Sequence, residues 1–464
     1  MAGLNATDIL NIVTKERIKF IQFNFMDIRG IPKNVTLPSD KLDRALTDGV
    51  IFDGSSIAGY AEIHESDMRL HPDMNSFCIL PEDTYGDDKY KTATIICDVY
   101  DSNGREFEGD PRLVLKNLIK KINKKGLNYY TGPEFEFFLF KLENDEPSLN
   151  VSDYGGYFDL MPVDRCETVR KEIVNYLYNF KGYMKNSKGK LNEKQYFDIE
   201  AVHHEVAPGQ QEIDFRYSDA LSSADRVFLV KFAIKTVAQR NGYWATFMPK
   251  PLPDVNGSGM HVHQSLLADQ KKPIKNIFYD KKNKYGLSNL ALYFIGGILE
   301  NARANCAILA SWVNSYKRLV PGYEAPTYIS WANMNRSALV RIPSGRGIST
   351  RLEVRYPDPA GNPYLQFAVM LASGLHGIEN KVTPPEPVEK DIYKLDKETI
   401  DQMNIQGLPG DLGEALNELG RSTLMEKTLG KHIMNNFLHV KSIEWEEYRA
   451  QVTKWEIDKF LPIL

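Results

Sequence analysis

The sequence predicts an α+β protein of two domains. At 464 residues the chain is longer than one hydrophobic core usually organises. Segments with the alternating pattern of strands are interspersed with segments of helical periodicity, which is typical of an α+β fold. Turn formers and a helix-starting proline in FEGDPR, residues 107–112, mark a boundary. We therefore expect an N-terminal domain of residues 1–109 and a larger domain of residues 110–464.

The individual elements follow from local patterns. After a short capped N-terminal helix, a strand alternates with Phe23 and Phe25 facing inward and Gln22 and Asn24 facing outward. Further strands are predicted at residues 93–99, 129–140, 211–216, 244–247, 259–265 and 351–356. Helices are predicted at residues 113–122 and over most of 413–464.

Charge and composition exclude several classes of protein. The chain has 57 Lys and Arg against 61 Asp and Glu, with 42% hydrophobic residues, as in an ordinary soluble enzyme. The lysine-rich stretches at 181–194 and 271–284 are broken by Gly, Asn and Asp, so we interpret them as solvated loops and not as a nucleic-acid surface. No apolar run is long enough to span a membrane.

The cysteines indicate a reducing compartment. They are far apart and contain no C-x-x-C pair, which argues against a zinc knot, a redox motif or a disulfide framework. The four are Cys78, Cys97, Cys166 and Cys306. With no signal-peptide pattern at the N-terminus, the sequence predicts a cytoplasmic protein.

Paired glutamates in GPEFEFFLF are the first candidate site. Glu134 and Glu136 are two residues apart on a predicted strand, so both carboxylates face the same side. Two like charges in an otherwise apolar strand are unfavourable unless a cation lies between them, and hard oxygen ligands suit Mg²⁺ or Mn²⁺. The alternative is an exposed sheet edge with solvated glutamates.

Two later segments add imidazoles and carboxylates. In IEAVHHEVAPGQQEIDF, the Pro208-Gly209 turn allows Glu205 and Glu212 to converge. In NGSGMHVHQS, His261 and His263 share one face of a strand, which fits either a ligand site or a satisfied polar pair.

Arginines are dense in the following region. Arg351, Glu353 and Arg355 lie on one side of a predicted strand, as in a metal and phosphate site or in a plain salt-bridged ladder. Further candidates are Arg318, Arg336, Arg341 and Arg346, although any one of them could be a solvated surface residue. Guanidinium groups recognise phosphates and carboxylates in forked geometry. Together with the acidic cluster, they predict metal-assisted phosphoryl transfer.

Several long motifs resemble those of the glutamine synthetases. They are DGSS (53–56), GPEFEF (132–137), HHEVAPGQQEID (203–214), NGSGMHVH (256–263), NSYKRLVPGYEAP (314–326), NRSALVRIP (335–343) and RLEVRYPDPAGNPYL (351–365). They span most of the chain in the family's order. The resemblance implies a small β-grasp-like N-terminal domain and a catalytic domain with a curved antiparallel sheet, similar to that of guanido kinases, surrounded by helices.

The resemblance also implies a set of site residues. One metal would be held by Glu136, Glu205 and Glu212, and a second by Glu134, His261 and Glu353. Glutamate would be bound by Asn256, Gly257, Arg318, Glu324, Arg336 and Arg355. ATP would be bound by Glu200, His263, Ser265, Arg336 and Arg341, and Tyr217 would line the adenine pocket or belong to the core.

The implied reaction joins ammonia to glutamate in two steps. Glutamate attacks ATP to give γ-glutamyl phosphate, and ammonia then displaces phosphate. Asp53 would take a proton from ammonium, Glu324 would close a lid over the intermediate, and Arg336 would stabilise the transferring phosphoryl group. The family architecture implies a dodecamer of two hexameric rings, with Asp53 supplied by the neighbouring subunit.

Departures from the family pattern point to the shorter type I subclass. The short connection between Phe140 and Tyr157 lacks the insertion of the adenylylated enzymes, and the neighbours of Tyr393 do not match the modified site. Glu62 lies near the place of a basic residue that transmits glutamine feedback. The stretch at 181–194 is an addition, which we interpret as a surface loop. A small nitrogen-regulatory protein or 2-oxoglutarate could control the enzyme.

Two other functions fit parts of the sequence. A glutamate–amine ligase of the same fold, such as a γ-glutamylpolyamine synthetase, would share metals and ATP but admit a bulkier amine; the intact DGSS favours ammonia. A catalytically silent scaffold would have lost a metal ligand, and none is missing. Guanido kinases have no use for the N-terminal strands or DGSS.

Overall fold

The computed structural model describes residues 3–60, 67–82, 84, 90–269 and 273–464. Its helices are α1 (Ala6–Glu16), α2 (Leu42–Asp48), α3 (Pro111–Asn123), α4 (Glu167–Tyr178), α5 (Ala220–Arg240), α6 (Asn289–Glu300), α7 (Ala302–Leu309), α8 (Ser315–Arg318), α9 (Pro363–Asn380), α10 (Lys397–Gln402), α11 (Leu412–Arg421), α12 (Thr423–Arg449) and α13 (Lys454–Phe460). Within these ranges, none of the helices is both long and apolar enough to cross a membrane.

The strands are β1 (Phe20–Met26), β2 (Pro32–Pro38), β3 (Val50–Asp53), β4 (Asp67–Pro72), β5 (Cys78–Ile79), β6 (Thr92–Tyr100), β7 (Asn128–Glu143), β8 (Glu146–Val151), β9 (Lys181–Lys185), β10 (Leu191–Gln195), β11 (Ile199–His204), β12 (Gln210–Phe215), β13 (Ser218–Asp219), β14 (Tyr243–Thr246), β15 (Met260–Ala268), β16 (Lys275–Asn276), β17 (Trp331–Ala332), β18 (Val340–Arg341) and β19 (Leu352–Val354). Elements of both types alternate along the chain, so the predicted α+β class is confirmed.

The strands form two sheets. In the first, the order β10-β9-β5-β6-β1-β2 places β1 parallel to β6; β4 also pairs with β6, and β3 pairs with β4. The second has the order β11-β12-β7-β15-β19-β18-β17 and is centred on the long strand β7. Helices α9, α6, α3 and α5 pack around this larger sheet and bury its apolar side. The boundary between residues 109 and 110 stays a proposal; Asp110 is the N-cap of α3, where its side chain accepts a hydrogen bond from the Arg112 amide.

Strand β1 follows the predicted alternation except at one position. Ile21, Phe23 and Phe25 are buried as expected. Asn24, predicted to face outward, is also buried, and its amide donates to the Thr94 hydroxyl on β6. The prediction was wrong because the second face of β1 packs against the larger domain: Met26 on that face, and Ile96 opposite Asn24 on β6, belong to its core.

The lysine-rich stretch at 181–194 is not the predicted surface loop. It forms the hairpin β9–β10, and Gly182 of β9 pairs with Cys78 of β5, so the hairpin extends the first sheet. Tyr183 is buried in the N-terminal core, and the Lys185 ammonium lies 2.6 Å from an Asp8 carboxylate oxygen. A segment that follows α4 in the chain thereby completes the edge of the N-terminal sheet. Glu62, where the sequence predicts an altered feedback position, lies outside the described residues.

Arg112, at the start of α3, joins the two parts of the chain. Its guanidinium is buried and contacts carboxylates from both sides: Asp98 on β6, Asp73 at 2.8 Å, and Asp225 on α5 at 2.9 Å. Burial alone would lower its pKa, but the surrounding carboxylates raise it well above the usual range. Arg112 is therefore charged; it compensates Asp73 and Asp225, and it shares the compensation of Asp98 with Lys116.

Replacing Arg112 by methionine tests this anchor. Because these carboxylates lose a cation, we expect the free energy of unfolding to fall by about 3–5 kcal/mol, measured by urea denaturation. Arg105→Met, which removes the exposed pair with Asp101, is the control and should change it by less than about 1 kcal/mol. Equal effects of the two substitutions would contradict the anchoring role.

Candidate functional site

The floor of the site is built by strand pairing around β7. On one side, β12 places Glu212 opposite Glu136 and Asp214 opposite Glu134. On the other side, β15 places His261 opposite Glu134. Directly opposed residues have Cβ atoms about 4.5–5.5 Å apart, so this register gathers the acidic and imidazole groups on one face.

These groups line a cavity of about 720 Å³. Fourteen of the residues predicted for metal, glutamate or phosphate binding line it: Glu134, Glu136, Glu205, Glu212, His261, His263, Glu353, Asn256, Gly257, Arg318, Glu324, Arg336, Arg341 and Arg355. The structure therefore brings together side chains from residues 134 to 355, as the motifs suggested.

An adjoining cavity of about 270 Å³ holds the other residues predicted for nucleotide binding. It is lined by Glu200, Ser265 and Tyr217, and it shares Glu134 and His263 with the first cavity. Tyr217 is half exposed and its ring meets Tyr130 edge-on. Tyr217 therefore lies on the wall of a cavity and not in the core, which favours the first of the two roles predicted for it.

Asp53 lines neither cavity. It lies at the end of β3 in the N-terminal part and is exposed, with its carboxylate accepting hydrogen bonds from the Ser55 amide at 2.9 Å and the Ser55 hydroxyl at 2.7 Å. These bonds lower its pKa below the usual value. Within one chain, Asp53 is not brought to the predicted site.

Glu134, His261 and Glu353 form the first group of potential metal ligands. Each offers a ligand atom within 4.8 Å of those of the others. The Glu134 carboxylate lies between two imidazoles, 3.1 Å from Nδ1 of His261 and 2.6 Å from Nε2 of His263. Burial alone would raise the pKa of Glu134, but these two histidines hold it well below its usual range. Glu134 is therefore an anion, as a metal ligand must be.

Glu136, Glu205 and Glu212 form a second, more crowded acidic group. Burial and the Glu205 carboxylate raise the pKa of Glu136 to about 8, and burial together with Glu136 raises that of Glu212. Since all three are largely buried, their mutual repulsion is hardly screened by water. A divalent cation would relieve it, so the donor set fits one. His203 and Asp214 also lie within ligand distance of Glu212.

Arginines supply the opposite charge above this floor. Glu353 accepts a hydrogen bond from Arg341 and another, of 3.0 Å, from Nε of Arg355. Nη1 of Arg355 is buried without a partner among the described residues, which leaves a donor for a bound anion. Arg318 is held by main-chain carbonyl oxygens of residues 355–357. Of the predicted ladder, Arg355 pairs with Glu353, whereas Arg351 donates to Nδ1 of His263; all three residues also line the cavity.

Glu324 lies on a loop at the mouth of the cavity. It has a left-handed backbone conformation with φ of +61°, which is uncommon for a residue with a side chain. Its carboxylate accepts a hydrogen bond of 3.1 Å from the Asn256 amide, and Tyr393 donates its hydroxyl proton to the carbonyl of Ala325. The loop thereby touches two other segments of the site.

The sequence reasoning missed several residues that the structure adds. Gln210 is buried, and its amide donates to Glu136 at 2.8 Å and to the Gly257 carbonyl at 3.2 Å. Tyr157 and Phe158 line the mouth of the cavity. The resemblance covered Gln210 within HHEVAPGQQEID, but nothing in that motif showed its contact with residue 257. The aromatic pair lies in a segment without a motif.

Comparison with known proteins identifies the family. A family model for the glutamine synthetase β-grasp domain matches residues 17–102, and a model for the glutamine synthetase catalytic domain matches residues 108–460. A glutamine synthetase of Thermus thermophilus is 46% identical over 461 residues, covering 99% of each chain. One from Staphylococcus aureus is 47% identical over 456 residues, covering 98% of this chain and 97% of the relative.

Solved structures agree with these matches. A structure described as a GmaS/ADP complex has a TM-score of 0.85 at 30% identity and covers 98% of this chain and 100% of its own. The fold of a Plasmodium falciparum glutamine synthetase is also similar, with a TM-score of 0.83 at 23% identity and coverage of 99% and 100%. The predicted N-terminal β-grasp domain and the resemblance to the shorter bacterial type I enzymes are confirmed. The chain belongs to the glutamine synthetase family of glutamate–ammonia ligases.

Proposed function

We propose that the larger cavity binds glutamate and two divalent cations, that the adjoining cavity binds ATP, and that glutamine forms through γ-glutamyl phosphate. Two features of one cavity floor carry this proposal, with arginines above them: the ligand group of Glu134, His261 and Glu353, and the crowded carboxylates of Glu136, Glu205 and Glu212. Phosphoryl transfer needs cations on both sides of the moving group, and this arrangement supplies them.

The two cations are assigned to the two acidic groups. Glu136, Glu205 and Glu212 would hold one, and Glu134, His261 and Glu353 the other. Hard carboxylate oxygens with a single imidazole suit Mg²⁺ and also Mn²⁺. When bound, the cations supply positive charge to the phosphates and to the glutamate carboxylate.

The remaining polar groups are assigned to the substrates. Glutamate would be bound by Asn256, Gly257, Arg318, Glu324, Arg336 and Arg355. ATP would be bound by Glu200, His263, Ser265, Arg336 and Arg341, with Tyr217 beside the adenine. The glutamate γ-carboxylate attacks the terminal phosphorus of ATP and ADP leaves. Arg336 and Arg341 stabilise the charge of the transferring phosphoryl group.

Ammonia completes the reaction. Asp53 takes a proton from ammonium, and the ammonia attacks the γ-carbonyl carbon. The bond from that carbon to the phosphate oxygen breaks, and the phosphate leaves with one nitrogen proton as hydrogen phosphate, which gives the amide. Glu324 and its loop exclude water, which would otherwise hydrolyse the mixed anhydride. The contact between Glu324 and Asn256 supports a closed position of this loop over the glutamate site.

Assembly into a dodecamer of two hexameric rings would place Asp53 of one subunit at the cavity of the next. Two observations support this: Asp53 is exposed and outside the cavity of its own chain, and the C-terminal tail exposes several large apolar side chains. The exposed tail residues include Val452, Trp455, Ile457, Leu461, Ile463 and Leu464. Among the described residues we assign no site to a small regulatory protein or to 2-oxoglutarate.

The amine specificity can be tested directly. Purified protein with glutamate, ATP and Mg²⁺ should release phosphate and form an amide with ammonium, but not with methylamine, putrescine or no amine. Glutamine would be identified by mass spectrometry. A preference for putrescine or methylamine would instead indicate a glutamate–amine ligase, and absence of turnover would indicate a silent scaffold.

The shared site predicts complementation between inactive subunits. Asp53→Ala should nearly abolish ammonia-dependent turnover yet keep ATP and Mn²⁺ binding, and Glu353→Ala should weaken one cation. If Asp53 acts on the neighbouring cavity, equal co-assembly of the two variants should restore about a quarter of the sites, since each site combines two subunits. Mixtures without activity, from variants that each still assemble, would place Asp53 and Glu353 in the same subunit's site.

The crowded acidic group predicts a trade between stability and cation binding. At a pH of about 9, above the raised pKa of Glu136, Glu136→Gln removes one like charge, so the melting temperature of the metal-free protein should rise by about 1–3 °C. The additional rise in melting temperature that Mn²⁺ causes should be smaller in Glu136→Gln than in the unaltered protein. Glu143→Gln, an exposed glutamate at the end of the same strand, is the control and should change neither value. An unchanged Mn²⁺ response in Glu136→Gln would remove Glu136 from the ligand set.

A further inference from the structure

Behind the acidic floor lies a buried Asp–His pair that the assignments above do not use. Asp153 and His204 are almost fully buried, with the His204 Nε2 2.9 Å from an Asp153 carboxylate oxygen. Nδ1 of the same ring lies 2.6 Å from the main-chain carbonyl oxygen of Glu205. Both ring nitrogens therefore face oxygen atoms, and the ring is held between the Asp153 carboxylate and the main chain of Glu205.

This pair joins three segments of the chain. The Asp153 oxygen that contacts His204 also accepts a hydrogen bond of 2.8 Å from the Gly209 amide. This bond connects the turn after Glu205 to Asp153. The main-chain carbonyl of His204 accepts a hydrogen bond of 3.1 Å from the Phe158 amide, next to the aromatic residues at the cavity mouth. The third segment is the end of β11, which carries His204 itself and leads directly into Glu205.

The fit around the ring is tight. A Cβ at position 155 would lie 2.8 Å from Nε2 of His204, so only glycine leaves room there. The imidazole is thus confined between Gly155 on one side and the Glu205 carbonyl on the other. A small displacement of the ring would move the main chain that carries the Glu205 carboxylate.

A buried metal site is the other function this cluster suggests. Asp153, Asp164 and His204 offer ligand atoms within 4.8 Å of one another. Arg170, however, is bound to Asp164, through Nη1 at 3.1 Å to one oxygen and through Nη2 to the other. Asp164 thus already has a buried cationic partner, and His204 occupies one oxygen of Asp153. The cluster therefore needs no added cation.

We infer that the Asp153–His204 pair is a positioning pair for Glu205, fixing the direction of its carboxylate toward the cation that it shares with Glu136 and Glu212. This role rests on the proposed function, because it requires a cation at that group. It also explains why two titratable side chains are buried in contact with a main-chain carbonyl and a main-chain amide instead of with solvent. Hydrogen-bond partners behind a ligand commonly alter metal affinity by about 10–100-fold.

Asp153→Asn tests the role with little change of volume. Titration of the intact, metal-stripped assembly with Mn²⁺, followed by calorimetry, should resolve two classes of cation in the unaltered protein. In Asp153→Asn, one class should weaken about tenfold while the other, at Glu134, His261 and Glu353, keeps its affinity. Raising the Mn²⁺ concentration should then restore most of the turnover.

Asp159→Asn is the matched control, because it makes the same substitution in the same loop at an exposed carboxylate. It should leave both classes of cation unchanged. If Asp153→Asn weakens the binding of both classes of cation equally, or of neither class, the positioning role is wrong. A purely structural pair would lower the thermal stability without weakening one class of cation more than the other.

A second variant tests the same role if Asp153→Asn does not fold. Gly155→Ala pushes on the imidazole without changing any charge and should weaken the same class of cation selectively; if it does not, the role is overturned. The unaltered protein separates this inference from the proposed function. If the unaltered protein binds no Mn²⁺, both the two-cation function and the positioning role are wrong. If it binds two classes of Mn²⁺ but the variants weaken both classes equally or neither, only the positioning role is wrong.

Discussion

The register of β12 and β15 on β7 is the constraint on which the site depends. Side chains alternate between the two faces of a sheet, so a shift of one residue would turn every ligand toward the opposite face. In this register Glu134 and Glu136 face the cavity while Phe135 and Phe137 are buried in the core. The apolar residues of β7 therefore fix the position of the acidic ones: burial of the phenylalanines is the favourable term that holds the register.

Electrostatics then divides the site into an acidic floor and a basic upper wall. The floor carries raised pKa values at Glu136 and Glu212, which shows that the folded chain concentrates negative charge there at a cost in stability. Glu353 connects the two layers, since it lies within ligand distance of His261 and also accepts from Arg341 and Arg355. A chain selected for stability alone would not bury this many like charges.

The smaller domain is attached by two kinds of contact. Arg112 links carboxylates on both sides of the predicted boundary, and the hairpin β9–β10 adds strands from beyond that boundary to the N-terminal sheet. Both contacts bury polar groups that have found partners, so the relative position of the two parts is fixed by directional interactions as well as by apolar packing. The N-terminal part carries Asp53, and its attachment therefore determines where that carboxylate is presented.

The sequence by itself determined the fold class, the strands that carry the site (β7, β12, β15 and β19), the helical tail and the residue types of the site, but not helices such as α5 and α9. Period-two alternation placed Glu134 and Glu136 on one face, and the long motifs indicated the family and the metal, glutamate and nucleotide residues. Only the tertiary structure decided which of these meet. It placed Asp53 outside the cavity of its own chain, turned residues 181–194 into a sheet edge, buried Asn24, and brought Gln210 and the Asp153–His204 pair behind the ligands. The physical reason is that local patterns report which face of an element is apolar, whereas contacts between residues 50 or more apart depend on how whole elements pack.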